Sequence, residues 1–166
     1  MSHAVLRLLL LSVLTLAAPA AAARESLGLY ARWGAFRDPL VPRCYAIAMA
    51  EPSARQRDYQ PYAAIGTWPR RGARSQVHFR LSRQLAPNAE VWLRIGARRW
   101  ALTGGGGDAW PRGEADNAAI VAAMRSAASM AVSARDTKGR RFADSWALPG
   151  AASAMDAALI GCARLR

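Results

Sequence analysis

The chain has 166 residues, 23 basic and 11 acidic side chains, and only two histidines and two cysteines. That length makes one ordinary domain with a real hydrophobic core. So few histidines and cysteines exclude a multi-ligand zinc centre, which needs three or four His, Cys or carboxylate ligands at short spacing.

Residues 1–23 read as a secretory signal peptide. Arg7 supplies the positive charge, Leu6 to Ala18 an apolar run centred on Leu8-Leu9-Leu10-Leu11, and Ala18-Pro19-Ala20-Ala21-Ala22-Ala23 a small-residue exit before Arg24. The run is shorter than the roughly 20 residues of a membrane span. Cleavage is expected after Ala23, leaving a single periplasmic or secreted β-rich domain over residues 24–166 with no transmembrane span. Arg7 and His3 leave with the leader, so the mature domain holds 22 basic and 11 acidic side chains, with Lys138 the sole lysine. A charge of +11 draws a domain to anionic lipid, polysaccharide or nucleic acid. The arginines are scattered rather than gathered into a stripe with aromatics, and export sets nucleic acid aside. A GC-rich genome yields the same arginine bias without selection for binding, so both readings of the charge stay open. In an oxidising compartment Cys44 and Cys162 are read as a disulfide. It would tie the two ends of the domain together, a constraint of about 4–5 kcal/mol in the chain-entropy model.

The mature chain then reads as short strands between turn signals. Leu29 to Phe36 is one apolar stretch, ended by Asp38-Pro39, and Arg43 to Met49 is a second, ended by Glu51-Pro52. Pro52 to Gln60 is polar and exposed, Tyr62 to Trp68 is a strand, and Arg70 to Arg74 is a basic turn. Val77, Phe79 and Leu81 alternate with polar residues, the period of a half-buried strand. Val91, Leu93 and Ile95 do the same and pair across Gly96-Ala97 with Arg99 to Leu102 as a hairpin. Gly104 to Gly107 reads as a flexible loop. Asp116 to Ser126 carries Ile120, Val121 and Met124 at helical spacing, with Asp116 or Asn117 as N-cap. Met130 to Ala134 and Phe142 to Leu148 form a hairpin about Asp136 to Gly139, and Ser153 to Cys162 is a second short helix. The expected fold is mainly β, an antiparallel sandwich or barrel-like domain with short helices at about 116–126 and 153–162.

Chemistry is sparse. His78 is the sole histidine of the mature domain, at a polar position of its strand where a solvent-facing ring is the ordinary outcome, and no Ser-His-Asp signature surrounds it. Asp108, Glu114, Asp116, Asp136, Asp144 and Asp156 each have a simpler role in a turn, a cap or an edge. Gly104 to Gly107 lacks the Gly-Lys-Ser/Thr ending of a phosphate cradle. No catalytic, cofactor-binding or metal residue is assigned, and no cofactor is expected. Among six tryptophans, Trp92 falls in the outward phase of its strand beside Arg94. With Arg80 these form the candidate binding surface, because an exposed indole flanked by arginine can stack on a sugar or an aromatic partner. Burial of Trp92 beneath a loop or helix is the competing reading.

The order of motifs carries a resemblance. Arg43-Cys44-Tyr45-Ala46-Ile47-Ala48 is followed by Gly66-Thr67-Trp68-Pro69, Gln76-Val77-His78-Phe79-Arg80-Leu81-Ser82, Trp100-Ala101-Leu102 and Asp108-Ala109-Trp110. Ala119 to Arg125, Met130-Ala131-Val132, Gly150-Ala151-Ala152 and Met155 to Ala158 then precede Cys162. Over nearly the whole mature chain this resembles the invasion-associated locus B family of exported bacterial proteins, in an alphaproteobacterial branch. The resemblance implies a small periplasmic or envelope-associated domain and brings neither catalytic residues nor a cofactor. Gly34-Ala35-Phe36 after Trp33 lacks the nearby cysteine of better-known members. The expected function is non-enzymatic binding of an envelope protein or anionic surface component. The alternative is a small periplasmic enzyme acting on glycan or cell-wall material through carboxylates such as Asp108 and Glu114, and a pocket uniting those two with Trp110 would favour it.

Overall fold

The computed structural model describes residues 24–38 and 40–163, so the expected leader at residues 1–23 lies outside the described residues. Ten strands form one antiparallel sheet: β1 (Glu25–Tyr30), β2 (Trp33–Asp38), β3 (Arg43–Met49), β4 (Tyr62–Trp68), β5 (Ala73–Arg80), β6 (Val91–Ile95), β7 (Arg98–Gly105), β8 (Asp108–Pro111), β9 (Ser129–Arg135) and β10 (Arg141–Ala147). Their spatial order is β1-β2-β3-β4-β5-β8-β7-β6-β9-β10. Helix α1 (Glu114–Met124) links β8 to β9, and α2 (Ala151–Ala163) follows β10. Among the described residues, no helix is long and apolar enough to cross a membrane. The expected mainly antiparallel β fold with two short helices is observed.

Alternation puts one set of side chains inward: Val77 and Phe79 from β5, Val91, Leu93 and Ile95 from β6, Met130 and Val132 from β9, Phe142 and Trp146 from β10. Helix α2 packs Ala151, Ala154, Met155, Ala158 and Cys162 inward. Its broadest contact is with β3, whose inward residues are Cys44, Ala46 and Ala48. Small side chains on both surfaces let the helix approach closely, and each removes apolar area from water. The Cys44–Cys162 disulfide fastens this contact, with Cα atoms 5.6 Å apart and a sequence separation of 118.

The sheet curls until its two ends nearly meet. Trp33 Nε1 donates to Ala147 O at 2.9 Å, and Glu51 N donates to Ser145 O at 2.8 Å. Among the described residues no further strand pairs with the outer edge of β10; the polar segment 51–58 runs along it as a strap. Edge backbone groups left bare would recruit other strands, so a cover of this kind is needed.

Several local expectations change. Leu29 to Phe36 is not one strand but the hairpin of β1 and β2, turning at Ala31, whose φ is 51°. Ala-Arg carries no turn signature, so composition hides it. Gly104 to Gly107 is not a flexible loop: Gly104 and Gly105 end β7, and the chain turns into β8. A Cβ at Gly104 would lie 2.7 Å from both Leu85 and Val91, and one at Gly107 would lie 2.7 Å from the Tyr59 ring. These glycines are packing requirements. Helix α1 starts at Glu114 with Gly113 as N-cap, and α2 starts at Ala151, ahead of Ser153. Asn117, expected as a cap, instead bonds β5: its Oδ1 accepts from Val77 N at 2.9 Å and its Nδ2 donates to Ser75 O at 2.9 Å.

Candidate functional site

Strand phase and register assemble a basic outer face on β6, β7, β9 and β10. Trp92 and Arg94 point outward from β6. The register sets Arg94 opposite Arg99 of β7, Trp92 opposite Ser133 of β9, and Arg135 opposite Arg141 of β10. The Arg99 guanidinium lies 3.8 Å from the Trp92 ring centroid, a cation–π contact. Trp92 Nε1 donates to Glu90 at 3.3 Å. A hollow of about 470 Å³ opens between Trp92, Arg99, Arg135 and Arg141. Among the described residues, no carboxylate lies within salt-bridge distance of Arg94, Arg99, Arg135 or Arg141. Glu90 is the one carboxylate in this hollow, so the closely held arginines outweigh it and produce a concentrated positive potential.

A second hollow of about 380 Å³ adjoins the first and shares Ser133, Arg141 and Phe142 with it. Its wall is the strap over β10, held down by arginines. Arg55 donates to Arg141 O at 3.3 Å, Arg57 to Glu51 O, and Arg83 to Gln56 O. Each bond uses one of five guanidinium N–H groups. Arg57 Nε is buried without a partner among the described residues. Arg83 also reaches Asp136 at 3.6 Å and Asp58 at 4.0 Å.

The only carboxyl in this second hollow is Asp144, which points inward from β10 and is 2% exposed. Its Oδ2 accepts from Ser82 N at 2.8 Å. Burial raises its pKa above the ordinary aspartate value, against the hydrogen bonds from the Ser82 amide and hydroxyl and the charges of Arg57 and Arg83. Asp136, equally inaccessible at the β9–β10 turn, goes the other way. Burial pushes it up, but hydrogen bonds from the Arg140 side chain and amide and from the Lys138 amide, with the Arg140 charge, hold it below the usual range.

Of the three residues expected to form a binding surface, Trp92 and Arg94 share the basic face and Arg80 does not. Sheet order places Arg80 on β5, separated from β6 by β8 and β7. Its guanidinium bonds Asp108 at 2.6 Å and lies 4.0 Å from the Tyr59 ring centroid. Asp108 also holds His78 Nε2 at 2.9 Å. The His78 ring stacks on Trp110 at 5.3 Å between centroids and meets Tyr62 edge-on at 5.6 Å. His78 is thus half-buried in an ion-paired aromatic cluster rather than free in solvent. Trp110 and Glu114 line a common hollow of about 320 Å³, but Asp108 is not among its walls. The convergence of Asp108, Glu114 and Trp110 on one pocket, which would have favoured a carboxylate enzyme, is not observed. Among the described residues, no three His, Cys, Asp or Glu side chains are grouped to hold a metal ion.

Sequence reasoning missed Arg55, Arg57, Arg83 and Arg141 as neighbours, because only the strap's path over β10 unites them. The outward phase of Arg141, opposite Arg135 in the hairpin, was the one available signal. Comparison of the chain with protein-family models, curated proteins and solved structures finds no match.

Proposed function

We propose that this protein is an exported, non-enzymatic envelope protein of the invasion-associated locus B type, periplasmic or secreted, that binds a polyanionic saccharide of the cell envelope. The observation that carries this reading is the pair of adjoining arginine-lined hollows beside Trp92. Guanidinia present forked donors that suit carboxylate and phosphate groups. Trp92, already stacked on Arg99, offers an apolar face on which a sugar ring can lie. A concave surface on which basic groups outnumber acidic ones also speeds capture of an anionic ligand, in a salt-dependent way.

The test compares two variants of equal charge on immobilised alginate, a carboxylated polysaccharide, eluted with a salt gradient. One carries Arg99→Gln, Arg135→Gln and Arg141→Gln in the groove. The other carries Arg70→Gln, Arg71→Gln and Arg74→Gln, around the turn before β5. The groove variant should elute at markedly lower salt than the other. Equal losses would reduce the interaction to net charge and overturn the reading, as would wild-type protein that is not retained.

A further inference from the structure

This inference rests on the proposed polyanion groove and names the chemistry of its inner hollow. We infer that the hollow beneath the 53–57 strap is a subsite for a phosphomonoester end group, in which Asp144 and the phosphate share one proton.

The hollow combines many donors with a single acid. Arg55, Arg57, Arg83 and Arg141 line it with Ser53 and Ser82, and Arg57 Nε is buried and unpartnered. A volume of about 380 Å³ accommodates a phosphate with part of its sugar or glycerol. Four guanidinia alone would take any anion. The carboxyl at the bottom makes the difference, because an ionised Asp144 repels an anion that has no proton to give.

A phosphomonoester can give one. Its second pKa is near 6, so about neutral pH it samples the protonated form readily. Its P–O–H then donates to the Asp144 carboxylate; equally, the dianion accepts from a protonated Asp144. The two arrangements hold the same single proton, and no covalent bond is made or broken. Burial raises the pKa of Asp144, which lowers the cost of placing the shared proton on it. A sulfate ester brings no proton at these pH values and must rely on Asp144 to take one up.

The charges that act on Asp144 are Arg57 from the strap and Arg83 from the segment after β5; Arg55 and Arg141 line the same hollow, Arg141 from the opposite face of the strand that carries Asp144. Asp58 and Asp136 act on Arg83 from its other partners. No histidine lines the hollow. Once the free phosphate and free Asp144 are both deprotonated, binding takes up one proton, so affinity falls about tenfold per pH unit. Asp144→Asn removes that uptake.

The experiment is calorimetric titration with glycerol 3-phosphate and with inorganic sulfate, from pH 5.5 to 8.5, on wild type and Asp144→Asn. Wild type should prefer the phosphomonoester at least tenfold at pH 6.5 and lose affinity steeply above pH 7. Asp144→Asn should bind the two within threefold and with a flatter pH profile. Should that variant fail to fold, Arg141→Gln, at an exposed position, provides the second measurement. It should weaken glycerol 3-phosphate at least fivefold without changing the melting temperature. Equal wild-type affinity for sulfate, a variant that keeps both preference and pH slope, or an Arg141→Gln protein that binds normally would each overturn the subsite. Any of these with alginate retention intact would leave the wider groove standing; loss of both would remove the groove as well.

Discussion

Replacing Cys44 and Cys162 together by alanine tests how far the two ends of this domain depend on each other. The bridge joins positions 118 apart, so its removal frees a closed loop spanning most of the domain. The chain-entropy expression gives about 5 kcal/mol for a loop of this size. Unfolding entropy of roughly 2.1 cal/mol/K per residue gives about 0.3 kcal/mol/K for a domain of about 140 residues. The quotient is a fall in melting temperature of roughly 15 °C. The structure also says where the loss is felt first. Cys162 lies in the last turn of α2, whose alanine-rich face holds to β3 by close contact rather than by large side chains. Thermal melts by circular dichroism should therefore show wild type in reductant and the double variant melting together, well below the oxidised protein. Hydrogen exchange should show α2 amides opening before those of β5 and β6. A drop under about 5 °C, or unchanged exchange in α2, would refute the idea that the disulfide rather than packing secures the helix.

Other consequences can be read in the same way. Asn117→Ala removes two hydrogen bonds to β5 and should cost about 1–3 kcal/mol, with faster exchange at the Val77 amide; urea unfolding checks the first and NMR exchange the second. Gly150 has φ of 89°, and a Cβ there would stand 2.0 Å from Tyr30 O. Gly150→Ala should thus fail to accumulate as folded protein, or melt far below wild type. Asp136 has a folded pKa below its unfolded value, so its contribution is present above about pH 4 and vanishes as pH falls through the folded value. Asp136→Asn should be less stable at pH 7 and show a flatter acid limb, measured as urea midpoints between pH 2 and 7. Asp144 has the opposite sign: its raised folded pKa favours the native state at low pH and loses that contribution as pH rises through the folded value. Asp144→Asn should therefore gain on wild type between pH 4 and 7.

Strands with one dry face were legible because their side chains alternate. Val77-Phe79-Leu81, Val91-Leu93-Ile95 and Met130-Val132-Ala134 all lie in the core as that period requires. The order in which strands meet was not legible. Register is local to a hairpin, whereas β5 beside β8, and β6 between β7 and β9, are set by the closing of the whole sheet. This is why the Arg80–Asp108–His78 cluster, spanning 30 positions, left no trace in any short motif. The glycine run misled for a related reason. Composition reports what a backbone is free to do, and Leu85, Val91 and Tyr59 decide what it does. Of the candidate site, Trp92 and Arg94 followed from phase, but the strap's arginines looked like ordinary exposed-loop residues. Their role depends on β10 ending the sheet.

The strap over β10 gives the groove a further property. The Arg55 guanidinium bonds the last strand and also lines the hollow, so filling the hollow and keeping that strand shut are one linked equilibrium. A strap released from Arg141 O and Ser145 O would present fresh backbone donors and acceptors to a second molecule, an invitation to strand exchange. An anion seated among Arg55, Arg57 and Arg141 would screen their mutual repulsion and hold the flap in place. The ligand would then double as a chaperone for its own receptor, and the molecule would be most prone to self-association when its site is empty.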